Sequence, residues 1–307
     1  MNKIIQLEDH HVHELSSKAE LVNLMADTIK ARPHLEDLSP PRFKVGHLQE
    51  MGIMPEVSRQ NPHVIQSKFV SLISGKGHHG QVLRFDSQTG ELNAIIRGKL
   101  FTAYRTAAAS LAVARYFKPR VEHIVLIGTG EQSLSHFLFF RSFYPEAHIS
   151  VVGRTVESLK AYQKKLMRSD LNLELKIPQR SAEIICTLTN SESPILNLDQ
   201  SHAESLIIAV GSCSRIQREL SAELVTTSKR IVDSIPQAMR EAGDYLLPIK
   251  EGLLKLSKQE EIAQEMGSYF RGEKEHPTGR IIYKSLGIAE QDIAFADYLL
   301  DKYHEHN

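Results

Sequence analysis

The sequence has little of several features that mark specialised classes of protein. It contains two cysteines, Cys186 and Cys213, in 307 residues, which is too few for a disulfide framework and typical of a reducing cytoplasm. Its formal net charge is +0, so no overall field favours nucleic acid or an acidic membrane surface. No apolar run reaches the length of a membrane-spanning helix, and acids stand near the amino terminus where a signal peptide is apolar. We therefore expect a cytoplasmic protein without nucleic-acid or membrane partners.

The 15 histidines suggest a metal site, but their spacing does not support one. His10, His11 and His13 cluster near the amino terminus, and His78 and His79 are adjacent. None has the His-x-x-x-His spacing that places two imidazoles on one helix face. Surface histidines explain this pattern better, and we predict no metal.

Two glycines after a short apolar run are the most informative local feature. The run Ile124–Ile127 meets Gly128 and Gly130, helix-like sequence follows, and a second apolar run covers Ile149–Val152. Strand, glycine turn, helix and strand in this order are typical of a dinucleotide-binding unit. Gly128 would permit the sharp turn, and Gly130 would let backbone N–H groups at the helix amino terminus approach a pyrophosphate. An ordinary strand-to-helix turn is the alternative, because Ser133 stands where a third glycine or alanine is usual.

The end of the second apolar run indicates which dinucleotide is bound. In NAD-binding proteins an acidic residue there hydrogen-bonds the ribose 2′-hydroxyl, whereas an arginine accommodates a 2′-phosphate. Gly153 and Arg154 occupy this place. The sequence therefore favours NADP(H), with NAD(H) as the alternative.

The order of segments predicts the fold class. A helix is predicted over residues 14–31, prolines predict loops and short strands over residues 32–62, and an antiparallel meander is predicted over residues 67–97. An alanine-rich helix, Thr102–Phe117, then leads into alternating strands and helices, and the sequence after Asp244 is predicted to be helical and mixed. We predict an α/β protein with a doubly wound Rossmann parallel sheet and a second, α+β domain with antiparallel strands.

A set of short motifs follows in a fixed order from about residue 40 on. They are Met54-Pro55, Lys68, Thr102–Ala109, Ile127–Gln132, Ile184–Asn190, Ala209–Gly211, Arg218–Leu220, Glu241–Asp244 and Tyr283–Gly287. Together they resemble the ornithine cyclodeaminase/mu-crystallin family. The Arg-Thr-Ala-Ala block, followed at the family's spacing by Gly-x-Gly-x-Gln, is far more specific than either piece alone.

The resemblance implies a homodimer of two-domain subunits. Residues 1–118 and 286–307 would form a substrate-binding and dimerisation domain, and residues 119–285 the NAD(P)-binding Rossmann domain. Members of the family include cyclodeaminases, amino-acid dehydrogenases, cyclic-imine reductases and a crystallin that binds NADPH.

The resemblance also implies roles for single residues on the substrate side. Lys68 would be the catalytic residue, pairing with the substrate carboxylate or protonating the developing amine. Arg42 would bind both carboxylate oxygens, although a surface arginine fits it nearly as well. Arg105 would bring positive charge to the bound acid or to the cofactor phosphates, and Leu286 would close the pocket.

Most of the implied cofactor-binding residues lie in the Rossmann domain. The full set is Arg105, Thr106, Gly128, Gly130, Glu131, Gln132, Arg154, Thr155, Thr189, Ala209, Val210 and Ser285. Glu131 departs from the family pattern, because a small residue is usual there and an acid beside phosphate is unfavourable unless it turns away.

Cys213 is the departure that bears on the reaction. Cyclodeaminases carry an aspartate at this place, where a carboxylate must manage protons as ammonia leaves. A thiol cannot readily replace it, and a small polarisable filler explains Cys213 better than a nucleophile does. We predict an NAD(P)H-dependent oxidoreductase that reduces the C=N bond of a small, cyclic imino acid. An amino-acid dehydrogenase or cyclodeaminase using NAD, and a non-catalytic NADPH-binding protein, are the alternatives.

Overall fold

The structure, a computed structural model, divides the chain into two compact units. It describes residues 4–32, 43–45, 50–57, 63–73, 77–168, 171–178 and 182–306. Unit 1 consists of Met1–Ala108 and Ile288–Asn307, and unit 2 consists of Ala109–Gly287. The first boundary falls inside the helix Gly98–Phe117, whereas the domain boundary expected from the sequence follows residue 118.

The described residues form fourteen strands and ten α-helices. The strands are β1 (Ile5–Leu7), β2 (Phe43–Val45), β3 (Glu50–Val57), β4 (Val64–Ile73), β5 (Gly77–Asp86), β6 (Leu92–Arg97), β7 (His123–Ile127), β8 (His148–Val152), β9 (Asn172–Glu174), β10 (Ile184–Thr187), β11 (Leu206–Ala209), β12 (Lys229–Val232), β13 (Gln264–Glu265) and β14 (Ile281–Lys284). The helices are α1 (Asp9–Leu15), α2 (Lys18–Ala31), α3 (Gly98–Phe117), α4 (Glu131–Phe143), α5 (Val156–Leu166), α6 (Ala222–Thr227), α7 (Ile235–Glu241), α8 (Gly243–Lys250), α9 (Met266–Phe270) and α10 (Ala289–His306).

Unit 1 contains a six-stranded sheet in the order β1-β6-β5-β4-β3-β2. β1 runs parallel to β6, and the other neighbours are antiparallel, which confirms the predicted meander. Along β4 the side chains of Val64, Gln66 and Lys68 are buried, whereas Ile65 between them is 42% exposed. This period of two buries one face of the sheet and leaves the other face more exposed.

Two predictions for the amino-terminal region are corrected. The helix predicted over residues 14–31 is two helices, because Ser17 caps α2 by accepting the backbone N–H of Glu20 and α1 ends at Leu15. β3 is an eight-residue strand that runs through Pro55, where prolines predict loops and short strands. Proline is tolerated at this point because the described pairing of β3 with β2 ends at Ile53, so Pro55 has a described neighbour strand on one side only.

Unit 2 contains an eight-stranded sheet in the order β13-β12-β14-β11-β10-β7-β8-β9. All its neighbours are parallel, which confirms the predicted doubly wound sheet. Chain order runs outward from β7 to β9 and then resumes on the other side of β7 at β10, so the topological switch point lies between β7 and β10.

β14, which lies between β12 and β11 in this sheet, is not predicted from the sequence. Its four residues Ile281–Lys284 are buried and pair with β11 and β12. A four-residue apolar run carries no periodicity that separates a buried strand from a helical segment, so the region after Asp244 was predicted as helical and mixed. Among the described residues, no helix combines the length and apolarity needed to cross a membrane.

Candidate active site

The glycine turn follows β7 at the topological switch point. Gly128 has φ +127°, and a Cβ atom there would lie 2.7 Å from the carbonyl oxygen of Leu188. Only glycine fits this combination of backbone angle and close approach. Gly130 is the N-cap of α4, and a Cβ atom on it would meet nothing within 4 Å. The helix amino terminus therefore borders open space, as a dinucleotide pyrophosphate requires.

Ser133 performs the packing role of the third small residue of the fingerprint. It is completely buried, and its hydroxyl donates to the Tyr162 hydroxyl of α5 at 3.2 Å. The Tyr162 hydroxyl in turn donates to the Ser133 carbonyl at 3.0 Å. A serine is therefore compatible with close packing of α4 in this unit.

Arg154 and Thr155 stand between β8 and α5. Arg154 is exposed, and it directly precedes Thr155, the N-cap of α5. The Thr155 side chain accepts the backbone N–H of Ser158 at 3.2 Å. Arg154 therefore adds an exposed positive charge next to a helix amino terminus, a combination that suits a phosphate group.

Four further predicted cofactor-binding residues of unit 2 lie at the carboxyl ends of β10, β11 and β14: Thr189, Ala209, Val210 and Ser285. The backbone N–H of Ser285 donates to the Ala209 carbonyl at 3.0 Å, and the N–H of Leu286 donates to Asp233 Oδ2 at 2.8 Å. A Cβ atom on Gly211 would lie 1.9 Å from the Thr189 carbonyl oxygen. The segments after β10 and β11 are thus in direct backbone contact.

Glu219 lies beneath these two segments, and the sequence analysis gave it no role. Its side chain accepts five hydrogen bonds, from the Thr187 hydroxyl (2.9 Å), from the N–H and hydroxyl of Thr189 (both 2.7 Å), and from the N–H groups of Gly211 (2.9 Å) and Ser212 (3.2 Å). Glu219 is completely buried. Burial raises its pKa above the ordinary value, and the positive charge of Lys284 opposes that shift.

Asp244 and Lys284 hold Glu219 in place. Asp244 Oδ1 accepts the backbone N–H groups of Glu219 (2.6 Å) and Leu220 (3.0 Å), and Lys284 Nζ lies 2.9 Å from Asp244 Oδ2. Burial lowers the pKa of Lys284, but the surrounding acidic groups, Asp244 first and Glu219 with it, together outweigh this effect, and the pKa lies above its ordinary value. Lys284 is therefore protonated inside the core and compensates buried negative charge.

Lys68 and Arg105 converge on one carboxylate within unit 1. Lys68 Nζ lies 2.6 Å from Asp292 Oδ2, and Arg105 Nε donates to Asp292 Oδ1 at 3.0 Å. Arg105 Nη1 also donates to Gln291 Oε1 at 3.2 Å. Lys68 is 2% exposed and Arg105 5% exposed, so neither is the solvated surface cation that a lone strand lysine or helix arginine would suggest. Asp292, on α10, had no distinguishing signal in the sequence.

The structure also gives the surroundings of Thr106, Glu131, Gln132 and Cys213. The hydroxyl of buried Thr106 donates to the Thr102 carbonyl on its own helix at 2.7 Å. Glu131 and Gln132 begin α4 and are half-buried. The S–H group of Cys213 donates to the Val210 carbonyl at 3.5 Å. Arg42 lies outside the described residues. Within the described part of the chain, no group of three or more His, Cys, Asp or Glu side chains could hold a metal ion.

Comparison with known proteins places this geometry in a family. The sequence model of the ornithine cyclodeaminase/mu-crystallin family matches residues 3–307. The chain belongs to this family. The resemblance drawn from the motifs is thereby confirmed.

Three relatives illustrate the likeness. Ketimine reductase mu-crystallin of Macropus fuliginosus is 28% identical over 268 residues, which are 84% of this chain and 82% of that protein. Delta(1)-pyrroline-2-carboxylate reductase of Bacillus cereus is 30% identical over 313 residues, 98% of this chain and 92% of that protein. The structure of Thermococcus litoralis Delta(1)-pyrroline-2-carboxylate reductase, in complex with NADH and L-proline, has a TM-score of 0.86 at 23% identity, covering 99% of this chain and 98% of that one.

Proposed function

We propose that this chain is an NAD(P)H-dependent reductase of small imino acids, with a cyclic ketimine carboxylate of the pyrroline or piperideine type as substrate. The observation that carries the proposal is the buried cluster of Lys68, Arg105 and Asp292 in a member of this family. The names of the mu-crystallin and pyrroline-carboxylate reductase relatives support the substrate class.

Unit 2 has the features that a nicotinamide dinucleotide needs. The open space beside Gly130 at the amino terminus of α4 suits the pyrophosphate, and the segments that contain Thr189, Val210 and Ser285 would border the nicotinamide. Arg154 and Thr155 would meet the adenosine 2′-phosphate, which favours NADPH over NADH. When bound, the reduced nicotinamide supplies the hydride for the imine carbon.

Unit 1 supplies the groups that handle the acid and the proton. Arg105 would bind the substrate carboxylate, since a guanidinium binds both oxygens in a planar fork. Lys68 would hold a proton on Nζ and deliver it to the imine nitrogen, because reduction of a C=N bond needs a proton at nitrogen as well as a hydride at carbon. Asp292 keeps the Lys68 ammonium in place. Arg42 as a second carboxylate ligand, Thr106 and Gln132 beside the cofactor, and Leu286 as the pocket wall remain proposals from the family.

Cys213 supports reduction over cyclodeamination. The thiol stands where cyclodeaminases carry an aspartate, and its hydrogen bond to the Val210 carbonyl gives it a packing role. A protein that binds NADPH without turnover is the second candidate, favoured by the same missing aspartate and by Glu131 at the first position of α4.

We also propose that the protein is a homodimer in the cytoplasm. The more exposed face of the unit 1 sheet carries apolar side chains in register: Ile65 lies opposite Phe85, and Leu83 opposite Ile95. Such a face is a natural contact for a second copy of the chain. Neither Cys186 nor Cys213 forms a disulfide in the described part of the chain, which suits a reducing compartment.

A substrate panel tests the proposal. NADPH and NADH are titrated, and oxidation of each is followed with pyrroline-2-carboxylate, with piperideine-2-carboxylate, and with pyruvate plus ammonia. Ornithine with catalytic NAD is assayed for release of ammonia. Turnover of a cyclic imine with NADPH preferred is the expected result. Tight NADPH binding without turnover of any imine would favour the binding-protein candidate, and ammonia release from ornithine with catalytic NAD would overturn the argument from Cys213.

A further inference from the structure

The carboxylate of Glu219 joins two segments that follow neighbouring strands of the unit 2 sheet. Thr187 and Thr189 donate to it from the end of β10, and Gly211 and Ser212 donate to it from the end of β11. Three of these groups are backbone N–H groups, which can only donate, and the two threonine hydroxyls donate as well, an arrangement that suits an ionised carboxylate with both oxygens available. A buried charge of this kind is tolerated only when it is fully hydrogen-bonded.

These two segments lie next to the topological switch point between β7 and β10, where a doubly wound sheet binds its ligand. In a doubly wound sheet the dinucleotide lies across the carboxyl ends of the strands at that point. Its adenosine half belongs on the β8 side, where Arg154 stands, so its nicotinamide half belongs on the β10 and β11 side. Thr189 contacts both glycine turns on that side of the sheet. A Cβ atom on Gly211 would lie 1.9 Å from the Thr189 carbonyl oxygen, and a Cβ atom on Gly128 would lie 3.3 Å from the Thr189 methyl group.

We propose that Glu219 is a positioning residue for the nicotinamide half of the cofactor. It fixes the Thr189 and Gly211 segments on which the ring would rest, and Asp244 holds Glu219 through its backbone. The carboxylate itself does not touch the reacting atoms. This inference rests on the proposed function in that unit 2 binds a nicotinamide dinucleotide, and its test uses NADPH because Arg154 favours the 2′-phosphate.

The test compares two ligands that share the adenosine half. NADPH carries the nicotinamide, whereas adenosine 2′,5′-bisphosphate lacks it and keeps the 2′-phosphate. In Glu219→Gln the side-chain amide cannot accept from all five donors. We expect NADPH to bind about tenfold or more weakly, because a hydrogen bond to a charged group contributes roughly this much. Adenosine 2′,5′-bisphosphate should bind as it does to the wild type, and the NADPH fluorescence change on binding should shrink.

Glu183 offers a matched control at the opposite end of β10. Its carboxylate accepts the backbone N–H groups of Glu122 (3.4 Å) and His123 (2.9 Å), so it too joins loop backbone to the sheet. Glu183→Gln should leave the affinities for both ligands unchanged. If Glu219→Gln weakens both ligands equally, or neither, the positioning role is wrong.

A second variant covers the case in which Glu219→Gln does not fold. Thr189→Val keeps the shape of the half-buried side chain and removes one donor to Glu219. It should weaken NADPH several-fold and spare adenosine 2′,5′-bisphosphate, since one of five bonds is lost; equal affinities in variant and wild type would overturn the proposal. If the wild type binds NADPH but reduces no imine, the proposed function is overturned, whereas the positioning role of Glu219 can still be tested by these affinities. If the wild type binds no nicotinamide dinucleotide, both the proposed function and the positioning role are overturned.

Discussion

Lys68 and Asp292 form a buried ion pair, with Nζ and Oδ2 separated by 2.6 Å and each side chain 2% exposed. The two residues come from β4 and α10, which are far apart in the sequence. Removing both charges from water costs several kcal/mol per ion before any attraction is gained. A function that needs an ordered ammonium explains why unit 1 carries such a pair.

Replacing Lys68 with methionine should abolish imine reduction and spare dinucleotide binding. Loss of a general acid lowers kcat by about 100-fold or more, whereas the cofactor site proposed for unit 2 is unaffected. Steady-state kinetics and an NADPH titration measure the two effects.

Arg84→Met is the matched control for this variant. Arg84 lies on neighbouring β5, is buried, and pairs with Asp297 of α10. Each variant should lose about 3–5 kcal/mol of unfolding free energy, because each leaves a buried acid without one partner. Only Lys68→Met should lose kcat; normal turnover in that variant would remove Lys68 from the site.

Replacing Arg154 with alanine should change the choice of dinucleotide. The loss of one charged contact to a 2′-phosphate weakens NADPH by about 10- to 100-fold, and NADH has no phosphate to lose. Lys160→Ala, which removes an exposed positive charge from α5, should leave the ratio of the two affinities unchanged. If Arg154→Ala weakens NADH as much as NADPH, Arg154 does not select the cofactor.

A charge on the apolar face of the unit 1 sheet should dissociate the proposed dimer. Ile65→Glu would place a carboxylate among Phe85 and its neighbours, at an interface that would exclude water. Analytical ultracentrifugation should give a dimer for the wild type and a monomer for the variant. Leu253→Glu, at a side chain that is 59% exposed in unit 2, should remain dimeric. A monomeric wild type would disprove the proposed homodimer.

Acid should destabilise unit 2 through His136. Burial lowers the pKa of His136 to about 4, against an ordinary value of 6.5. Its Nδ1 lies 2.7 Å from the Gln132 carbonyl oxygen and its Nε2 lies 2.9 Å from the Ser110 hydroxyl, an arrangement that a neutral ring satisfies. Because the folded pKa is below the unfolded one, stability is full above pH 6.5 and declines as pH falls toward 4.

The unfolding free energy should therefore drop by about 2 kcal/mol between pH 7 and pH 5 from this residue. Chemical denaturation at the two pH values measures the drop. His136→Gln should be less stable at pH 7 but lose less on acidification, and His148→Gln, at an exposed position, should behave as the wild type. Equal pH dependence in wild type and His136→Gln would contradict this assignment.

Local patterns in the sequence predicted the strands, turns and helices that depend mainly on neighbouring residues. The apolar runs before Gly128 and before Gly153 became β7 and β8, and the alanine-rich segment became α3. The antiparallel meander followed from alternation and turn residues. β14 was missed because four buried residues carry no period.

The ion pairs and the Glu219 network could not be predicted, because their partners are far apart in the chain. Lys68 was predicted through the family resemblance, but nothing near it in sequence points to Asp292. Glu219, Asp244 and Lys284 lie within the quoted motifs, so their presence was noted without a role. Each is a charged residue inside a motif, and a charged residue that becomes buried requires a partner of opposite charge or hydrogen-bond partners. That requirement is the signal that would have identified them.

Transfer of deuterium from NADPH to the product tests the central claim most directly. NADPH carrying deuterium at the transferable position of nicotinamide C4 is incubated with the protein and piperideine-2-carboxylate or pyrroline-2-carboxylate, and the product is analysed by mass spectrometry and proton NMR. The expected product is pipecolate or proline with one deuterium on the α-carbon and none elsewhere. Recovery of both imines unreduced, with the NADPH intact and bound, would contradict it.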